Sequence, residues 1–132
     1  MVFYRCVVQA VSGLISSIKP QIWDLFETQY LFSAQGPDGE QSSVYHLAEI
    51  HAILGPPPME YLQRSKTSRE HFTDGDSWKA AVPIPDVSFE TMERRLHGDN
   101  KSQLLDFIRR MLQWRPEERH TAKQLLDDPW LN

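Results

Sequence analysis

Apolar residues recur every three or four positions in two stretches of the chain, and each stretch predicts an amphipathic helix. In the first stretch these positions are Val44, Leu47, Ile50 and Leu54. Side chains at this spacing share one face of an α-helix. Ser42 or Ser43 can cap the start of this helix. Gly55 and the three prolines after it predict a sharp stop, because glycine adopts the left-handed conformation and proline cannot continue a helix.

The second stretch, residues 101–114, carries the strongest helical periodicity of the chain. Its apolar positions are Leu104, Leu105, Ile108, Met111 and Leu112. Asp99 or Asn100 can cap its start. Because Arg115 precedes Pro116, it is pushed out of the helical conformation, and we expect the helix to end near Trp114.

A short helix follows, opened by Thr121. Gln124 stands three residues later, and this spacing predicts a capping box in which the two side chains bond each other's backbone N–H groups. We expect Leu125 and Leu126 to face inward and Pro129 to end the helix.

The remaining patterns are weaker. Residues 21–32 read as the end of a buried helix, the Gly-Pro and Asp-Gly pairs in residues 33–43 predict a loop, and short helices are expected near residues 60–64 and after Ser88. No stretch alternates apolar and polar residues as a strand does. The predicted fold class is therefore all-α.

Composition narrows the class of protein. The 132 residues suit one soluble globular domain, and a net charge of −4 without any Lys/Arg block argues against nucleic-acid or anionic-membrane binding. The single cysteine, Cys6, cannot form an internal disulfide, which favours an intracellular protein. The apolar-leaning start "MVFYRCVVQAVSGLISSI" is interrupted by Arg5 and several serines, so we expect neither a secretory signal nor a membrane span there.

Candidate metal chemistry is limited to His46 and His51, which share a helix with Glu49. A five-residue step turns the two imidazoles about 140° apart, whereas a helical zinc pair uses a four-residue step. We expect these histidines to be exposed or partly packed and not metal ligands. The glycines are too scattered for a phosphate-binding loop.

The segment "LQWRPEERHTAKQLLDDPWL" resembles the last part of eukaryotic protein kinase domains. Three features coincide in it: a helix stop at Pro116, Arg119 at a fixed offset, and a capped helix closed by Pro129 and Trp130. The stretches "IWDLFETQYLF", "HLAEIHAILGPPP", "HFTDGD" and "DPWLN" are similar to the SR-protein kinase group. The resemblance covers residues 21–132, whereas residues 1–20 match nothing in the family.

The resemblance implies a family that transfers the γ-phosphoryl group of ATP to Ser/Thr of protein substrates with Mg²⁺. That chemistry needs a phosphate-binding lysine, a catalytic Asp, and an Asp and Asn for the metal. None of the motifs that carry them is present: Asp106-Phe107 continues into Ile108, and His97–Asp99 lacks the arginine. We expect a partial C-terminal lobe without the N-terminal lobe, without catalytic, cofactor-binding or metal-binding residues, and inactive alone. A truncated gene model is compatible with this.

The resemblance assigns structural roles to Arg119, Pro116 and Trp130. In the family this arginine pairs with the glutamate of an Ala-Pro-Glu motif, which the sequence lacks. The hypothesis is that Arg119 turns toward water or takes another carboxylate, such as Asp24 or Glu27. The alternative is an ordinary exposed arginine.

The resemblance also bears on substrate docking. The family binds Arg-rich peptides with acidic side chains, some on the helix matched by residues 46–54, but Tyr45 and Ala52 occupy two of the acidic positions and only Glu49 remains. We keep Trp23, Phe26 and Glu49 as a candidate partner surface, although tryptophans at such spacings more often belong to a core.

Two other functions stay open. The chain could be a pseudokinase-like interaction module, self-associating through apolar faces such as Ile22 and Phe26, or an unrelated helical domain whose ending imitates kinases. The expected partners are proteins, and the expected compartment is the cytoplasm or nucleus.

Overall fold

The computed structural model describes residues 31–64, 66–75 and 77–132, without the side chains of residues 66 and 67. The α-helices of this part are α1 (Ser43–Leu54), α2 (Met59–Leu62), α3 (Phe89–Met92), α4 (Gly98–Met111) and α5 (Ala122–Leu126). Two 3₁₀ helices span Lys66–Glu70 and Pro116–Glu118. The described residues include no β-strand, only two isolated bridges, so the all-α prediction is confirmed. The predictions for residues 1–30 lie outside the described part.

Helix α1 confirms the first periodic stretch. Leu47 and Ile50 are fully buried. Ser42 occupies the N-cap position, but its side chain makes no capping hydrogen bond. Gly55 ends the helix with φ +78° and ψ −177°. The positive φ was expected, whereas the extended ψ places this residue in a conformation that essentially only glycine adopts.

Helix α3 is a single turn held at both ends. At its start Ser88 and Thr91 form a capping box. At its end the ammonium group of Lys101 donates to the carbonyl oxygens of Glu90 and Glu93, at 2.8 Å each. A cation at a helix C-terminus satisfies carbonyl groups that have no partner within the helix. Lys101 thereby joins α3 to α4.

Helix α4 differs from its prediction at both ends. It begins at Gly98 with His97 at the N-cap, so the expected caps Asp99 and Asn100 lie inside the first turn and the capping prediction is wrong. An acidic Asp99 there still interacts favourably with the helix dipole. The helix ends at Met111, earlier than expected.

Helix α5 confirms the capping box between Thr121 and Gln124. Leu125 is buried as expected, but the side chain of Leu126 is 68% exposed, so its predicted inward orientation is wrong. Adjacent helical residues point about 100° apart, and a helix of five residues buries only one narrow face.

Two apolar clusters form the core of the part that the structure describes. The first comprises Leu47, Ile50, Tyr61, Leu62, Phe72 and Trp114. The second comprises Phe89, Leu104, Leu105, Phe107, Ile108, Met111, Leu112 and Leu125. Leu54, at the end of α1, packs against both clusters. The described helices therefore share a continuous interior, and none of them is long and apolar enough to cross a bilayer.

Candidate functional site

The candidate site is the corner between α4 and α5, where the sequence places Pro116 and Arg119. Arg115 has an extended backbone (φ −81°, ψ 122°), as expected for a residue before proline. Pro116 opens the second 3₁₀ helix, and the backbone N–H of Arg119 donates to its carbonyl at 3.2 Å. Proline suits this first position because its missing N–H would have no partner there.

Ion pairs fasten this corner to α2. Arg115 donates to Glu60 and to Glu118, at 2.8 Å each. Arg64 forms a bidentate ion pair with Glu117. The central carbon of its guanidinium lies 5.6 Å from the centre of the Tyr61 ring. The pair with Arg64 lowers the pKa of Glu117 to about 2. Each exposed pair is worth little, but together they fix the orientation of the corner on α2.

Arg119 lies against the end of α4. Its side chain is half-buried, and its Nε donates to the carbonyl oxygen of Gln113 at 2.9 Å. Burial lowers the pKa of the guanidinium, while the acidic groups of Tyr61 and Glu117 act in the opposite direction. Within the described residues Arg119 therefore stabilises the corner between α4 and α5 through its hydrogen bond to Gln113. The carboxylates proposed for it, Asp24 and Glu27, lie outside that part.

Two of the tryptophans pack into the core. Trp114 is buried, lies 6.0 Å from the Tyr61 ring, and donates its indole N–H to the carbonyl of Gly55 at 3.0 Å. Trp130 packs on Phe107, with 5.2 Å between ring centres. Both side chains serve as packing groups rather than as an open binding platform.

The sequence predictions did not include the pair that closes the last turn. The carboxylate of Asp128 is 3% exposed, accepts from the guanidinium of Arg110, and also accepts from the backbone N–H of Trp130 at 3.0 Å. The second contact is an Asx turn, in which an aspartate bonds the backbone two residues on. The pattern Asp-Pro-Trp is a usable sequence signal for this turn, but it does not identify Arg110 as the partner.

Glu49 has a structural contact that the sequence did not reveal. Its carboxylate accepts three hydrogen bonds from the preceding loop: from Ser33 N at 3.2 Å, from Ser33 Oγ at 2.7 Å and from Ala34 N at 2.9 Å. Ala34 has φ +56°, which costs a non-glycine residue free energy. Glu49 thus fixes the position of a strained loop on α1. A basic protein partner that binds Glu49 would compete with these three hydrogen bonds. The other two partner-surface residues, Trp23 and Phe26, lie outside the described part.

The two histidines of α1 contact different aromatic neighbours. His46 lies 5.5 Å from Phe32, and His51 lies 6.0 Å from Phe72. Burial lowers the pKa of both imidazoles. Residues 31–132, apart from the two undescribed positions, contain no group of three or more His, Cys, Asp or Glu side chains that could hold a metal ion.

Comparison with known proteins finds protein kinases as relatives of the chain. No protein-family model matches the chain. It is 46% identical over 110 residues to a serine/threonine protein kinase of Aspergillus fumigatus, which covers 83% of the chain and 28% of that relative. It is 31% identical to the probable serine/threonine-protein kinase sky1 of Dictyostelium discoideum and 27% identical to the serine/threonine-protein kinase SKY1 of Saccharomyces cerevisiae. Those matches cover 83% of the chain and 17% and 15% of the relatives.

A helical array with a proline–arginine corner and a Pro-Trp ending, matching a minor share of each kinase, is a part of a protein kinase C-terminal lobe. The chain belongs to the serine/threonine protein kinases, of the SR-protein kinase type that its sequence resembles. It spans about a quarter of the length of the Aspergillus relative and less of the other two.

Proposed function

We propose that the chain is the distal part of a kinase C-terminal lobe and that the complete protein transfers the γ-phosphoryl group of ATP to Ser/Thr of protein substrates. The observation that carries this proposal is the 46% identity to a serine/threonine protein kinase across most of the chain. The corner at Pro116 and Arg119 and the closed turn at Asp128 support it, because they give this part of the lobe a defined shape.

We propose further that the chain alone transfers no phosphoryl group. Phosphoryl transfer depends on positioning and electrostatics supplied by a phosphate-binding lysine and by metal-binding acids. The motifs that carry those groups do not occur in the sequence. ATP and Mg²⁺ therefore belong to the remainder of the kinase, and no residue of this chain is assigned to them.

A chimera tests the first proposal. The 110-residue matching part of the Aspergillus kinase is replaced by the corresponding part of this chain, and phosphorylation of a protein substrate of that kinase is measured. Retained activity is the expected result. A folded chimera without activity would contradict the assignment to the kinase lobe.

The structural role of Arg119 is tested in the same chimera. Arg119→Met should lower activity, because the corner loses its bond to the carbonyl of Gln113 and the guanidinium that the family uses at this position. Arg95→Met, at an exposed residue away from the corner, is the matched control and should leave activity unchanged. Equal activities in the two variants would remove Arg119 from the assigned structural set.

The inactivity of the isolated chain is tested by titrating it with ATP and Mg²⁺ in a calorimeter. No heat of binding is the expected result. Binding at micromolar ATP would contradict the assignment of ATP and Mg²⁺ to the remainder of the kinase while leaving the family assignment intact.

A partner-binding role is the second candidate function. The described residues include three large apolar residues that are exposed: Met59, Leu126 and Leu131. Exposed apolar groups favour protein partners or self-association when they form a patch. A concentration-dependent shift in size-exclusion chromatography that Leu126→Ser removes would support this role, and a monomer at all concentrations would exclude self-association.

We place the protein inside the cell, in the cytoplasm or nucleus, as its single cysteine suggests.

A further inference from the structure

Residues 71–75 and 77–79 pair as a small hairpin that follows the first 3₁₀ helix. Phe72 and Trp78 make an antiparallel bridge. The backbone N–H of Thr73 donates to Ser77 at 2.8 Å, and that of Lys79 donates to His71 at 2.9 Å. With so few backbone bonds, an isolated hairpin of this size is only marginally stable. Its position therefore depends on what its side chains contact.

The hairpin is docked through aromatic rings. Phe72 is buried in the first core cluster, together with Leu47 and Ile50 of α1. Trp78 packs edge-on against Phe72 at 5.3 Å between ring centres, and its indole N–H donates to the carbonyl of Val82 at 2.8 Å. Trp78 thus links the hairpin to the core and to the segment that follows it.

Two histidines contact Trp78 from different elements. His51 on α1 lies 5.8 Å from the indole and is nearly parallel to Phe72, at 6.0 Å. His71 on the hairpin is nearly parallel to the indole at 6.1 Å. The neutral imidazoles act here as flat aromatic groups that pack among other rings.

We propose that this cluster is a pH-sensitive contact: protonation of His51 and His71, which both contact Trp78, weakens the docking of the hairpin on α1. Neither the family resemblance nor the proposed kinase function requires this behaviour. It arises from the contact of two titratable rings with one indole.

The charges around the cluster set the direction of the effect. Burial lowers the pKa of both His51 and His71. Around His71, Glu70 favours the charged form and Lys79 opposes it. Asp74 of the hairpin pairs with Arg69 of the first 3₁₀ helix at 3.9 Å, and this pair is too exposed to compensate a charge in the cluster.

One protonated imidazole can gain a cation–π contact with Trp78, but a second positive charge beside the same indole adds repulsion. Because both pKa values lie below the ordinary value near 6.5, the unfolded hairpin binds protons more readily than the docked one. The docking contact is therefore complete above about pH 6.5 and is lost as pH falls through the values of the docked histidines.

Hydrogen exchange of the full chain, followed by NMR, tests the proposal. The readout is the protection of the Lys79 amide, which bonds His71 across the hairpin, at pH 7.5 and pH 5.5 after correction for the intrinsic exchange rate. The reference is the Leu112 amide, which bonds Ile108 in the second core cluster. We expect protection of Lys79 to fall several-fold more than that of Leu112 at the lower pH. Equal changes at both amides would overturn the proposal.

Two variants assign the effect to the histidines. His71→Gln should keep part of the Lys79 protection that the unmodified chain loses at pH 5.5, and the double variant His51→Gln/His71→Gln should keep most of it. His97→Gln is the matched control, because His97 is exposed and its side chain caps nothing. If the folded double variant His51→Gln/His71→Gln loses protection at pH 5.5 as much as the unmodified chain, another group carries the effect and the proposal fails.

Discussion

The guanidinium of Arg110 donates to the carboxylate of Asp128, and the acid is almost fully buried whereas the arginine is 39% exposed. This pair joins the last turn of α4 to the turn that follows α5. The backbone N–H of His120 also donates to the carbonyl of Arg110, at 2.9 Å. Arg110 therefore anchors the end of the described structure through both its backbone and its side chain.

Arg110→Met should lower the free energy of unfolding by about 2–3 kcal/mol, because the buried carboxylate then keeps, among the described residues, only the backbone N–H of Trp130 as a partner. Urea unfolding at pH 7 measures the loss. Arg109→Met is the matched control, since Arg109 pairs with an exposed Glu90 and the loss there should stay below about 1 kcal/mol. Equal losses in the two variants would show that burial of Asp128 does not strengthen the pair.

Ala34→Gly should raise the free energy of unfolding by about 0.5–1 kcal/mol, because Ala34 has φ +56° and glycine adopts this conformation without strain. Ala52→Gly, inside α1, is the control and should lower it by about 1 kcal/mol, because glycine is a poor helix former. Thermal unfolding measures both. A destabilised Ala34→Gly variant would mean that the bond to Glu49 already removes the strain.

His46→Phe should make the chain less sensitive to acid. Burial lowers the pKa of His46, with the charge of Glu49 acting in the opposite direction, and its Nε2 has no hydrogen-bond partner within the described residues. The unfolded chain therefore binds the proton more readily, so stability is full above about pH 6.5 and is lost as pH falls through the folded-state value. Urea unfolding at pH 7.5 and 5.5 measures the difference between the two pH values.

That difference should be smaller in His46→Phe than in the unmodified chain. His97→Gln, at an exposed position, should leave the difference unchanged. An identical acid loss in all three proteins would assign the effect to other groups.

Arg64→Gln should return the pKa of Glu117 from about 2 toward its ordinary value, because the two-pronged pair with Arg64 is the main cause of the shift. Carboxyl NMR titration measures it. Arg69→Gln removes a different exposed pair and should leave Glu117 unchanged. Because the pKa is lowered in the fold, any stabilisation by this pair is present above about pH 4.5 and disappears as pH falls toward 2.

The features of the fold that the sequence predicts correctly depend on residues that are close together in the sequence. The capping box of Thr121 and Gln124 and the extended backbone of Arg115 before Pro116 depend on residues within four positions of each other, and both are confirmed. The buried face of α1 follows in the same way from helical periodicity. Periodicity failed at Leu126, because a helix of five residues has too little length to define a face.

The contacts of the candidate site were less predictable because their partners are distant in sequence. The carboxylate of Glu49 accepts hydrogen bonds from residues 15 and 16 positions earlier in the sequence. Arg110 donates to Asp128, 18 positions later. Nothing local in the sequence selects these partners over other charged residues nearby. Arg119 was singled out by resemblance, but its bond to Gln113 depends on where α4 ends.

The hydrogen bond from Trp114 to the carbonyl of Gly55 joins residues 59 positions apart. During synthesis α1 emerges from the ribosome well before the indole that completes its end and fills the first core cluster. Contacts at such separation slow folding, because a long intervening chain must be ordered before they form. We expect α1 to expose apolar surface until Trp114 has emerged, which makes the nascent chain a substrate for chaperones during that interval.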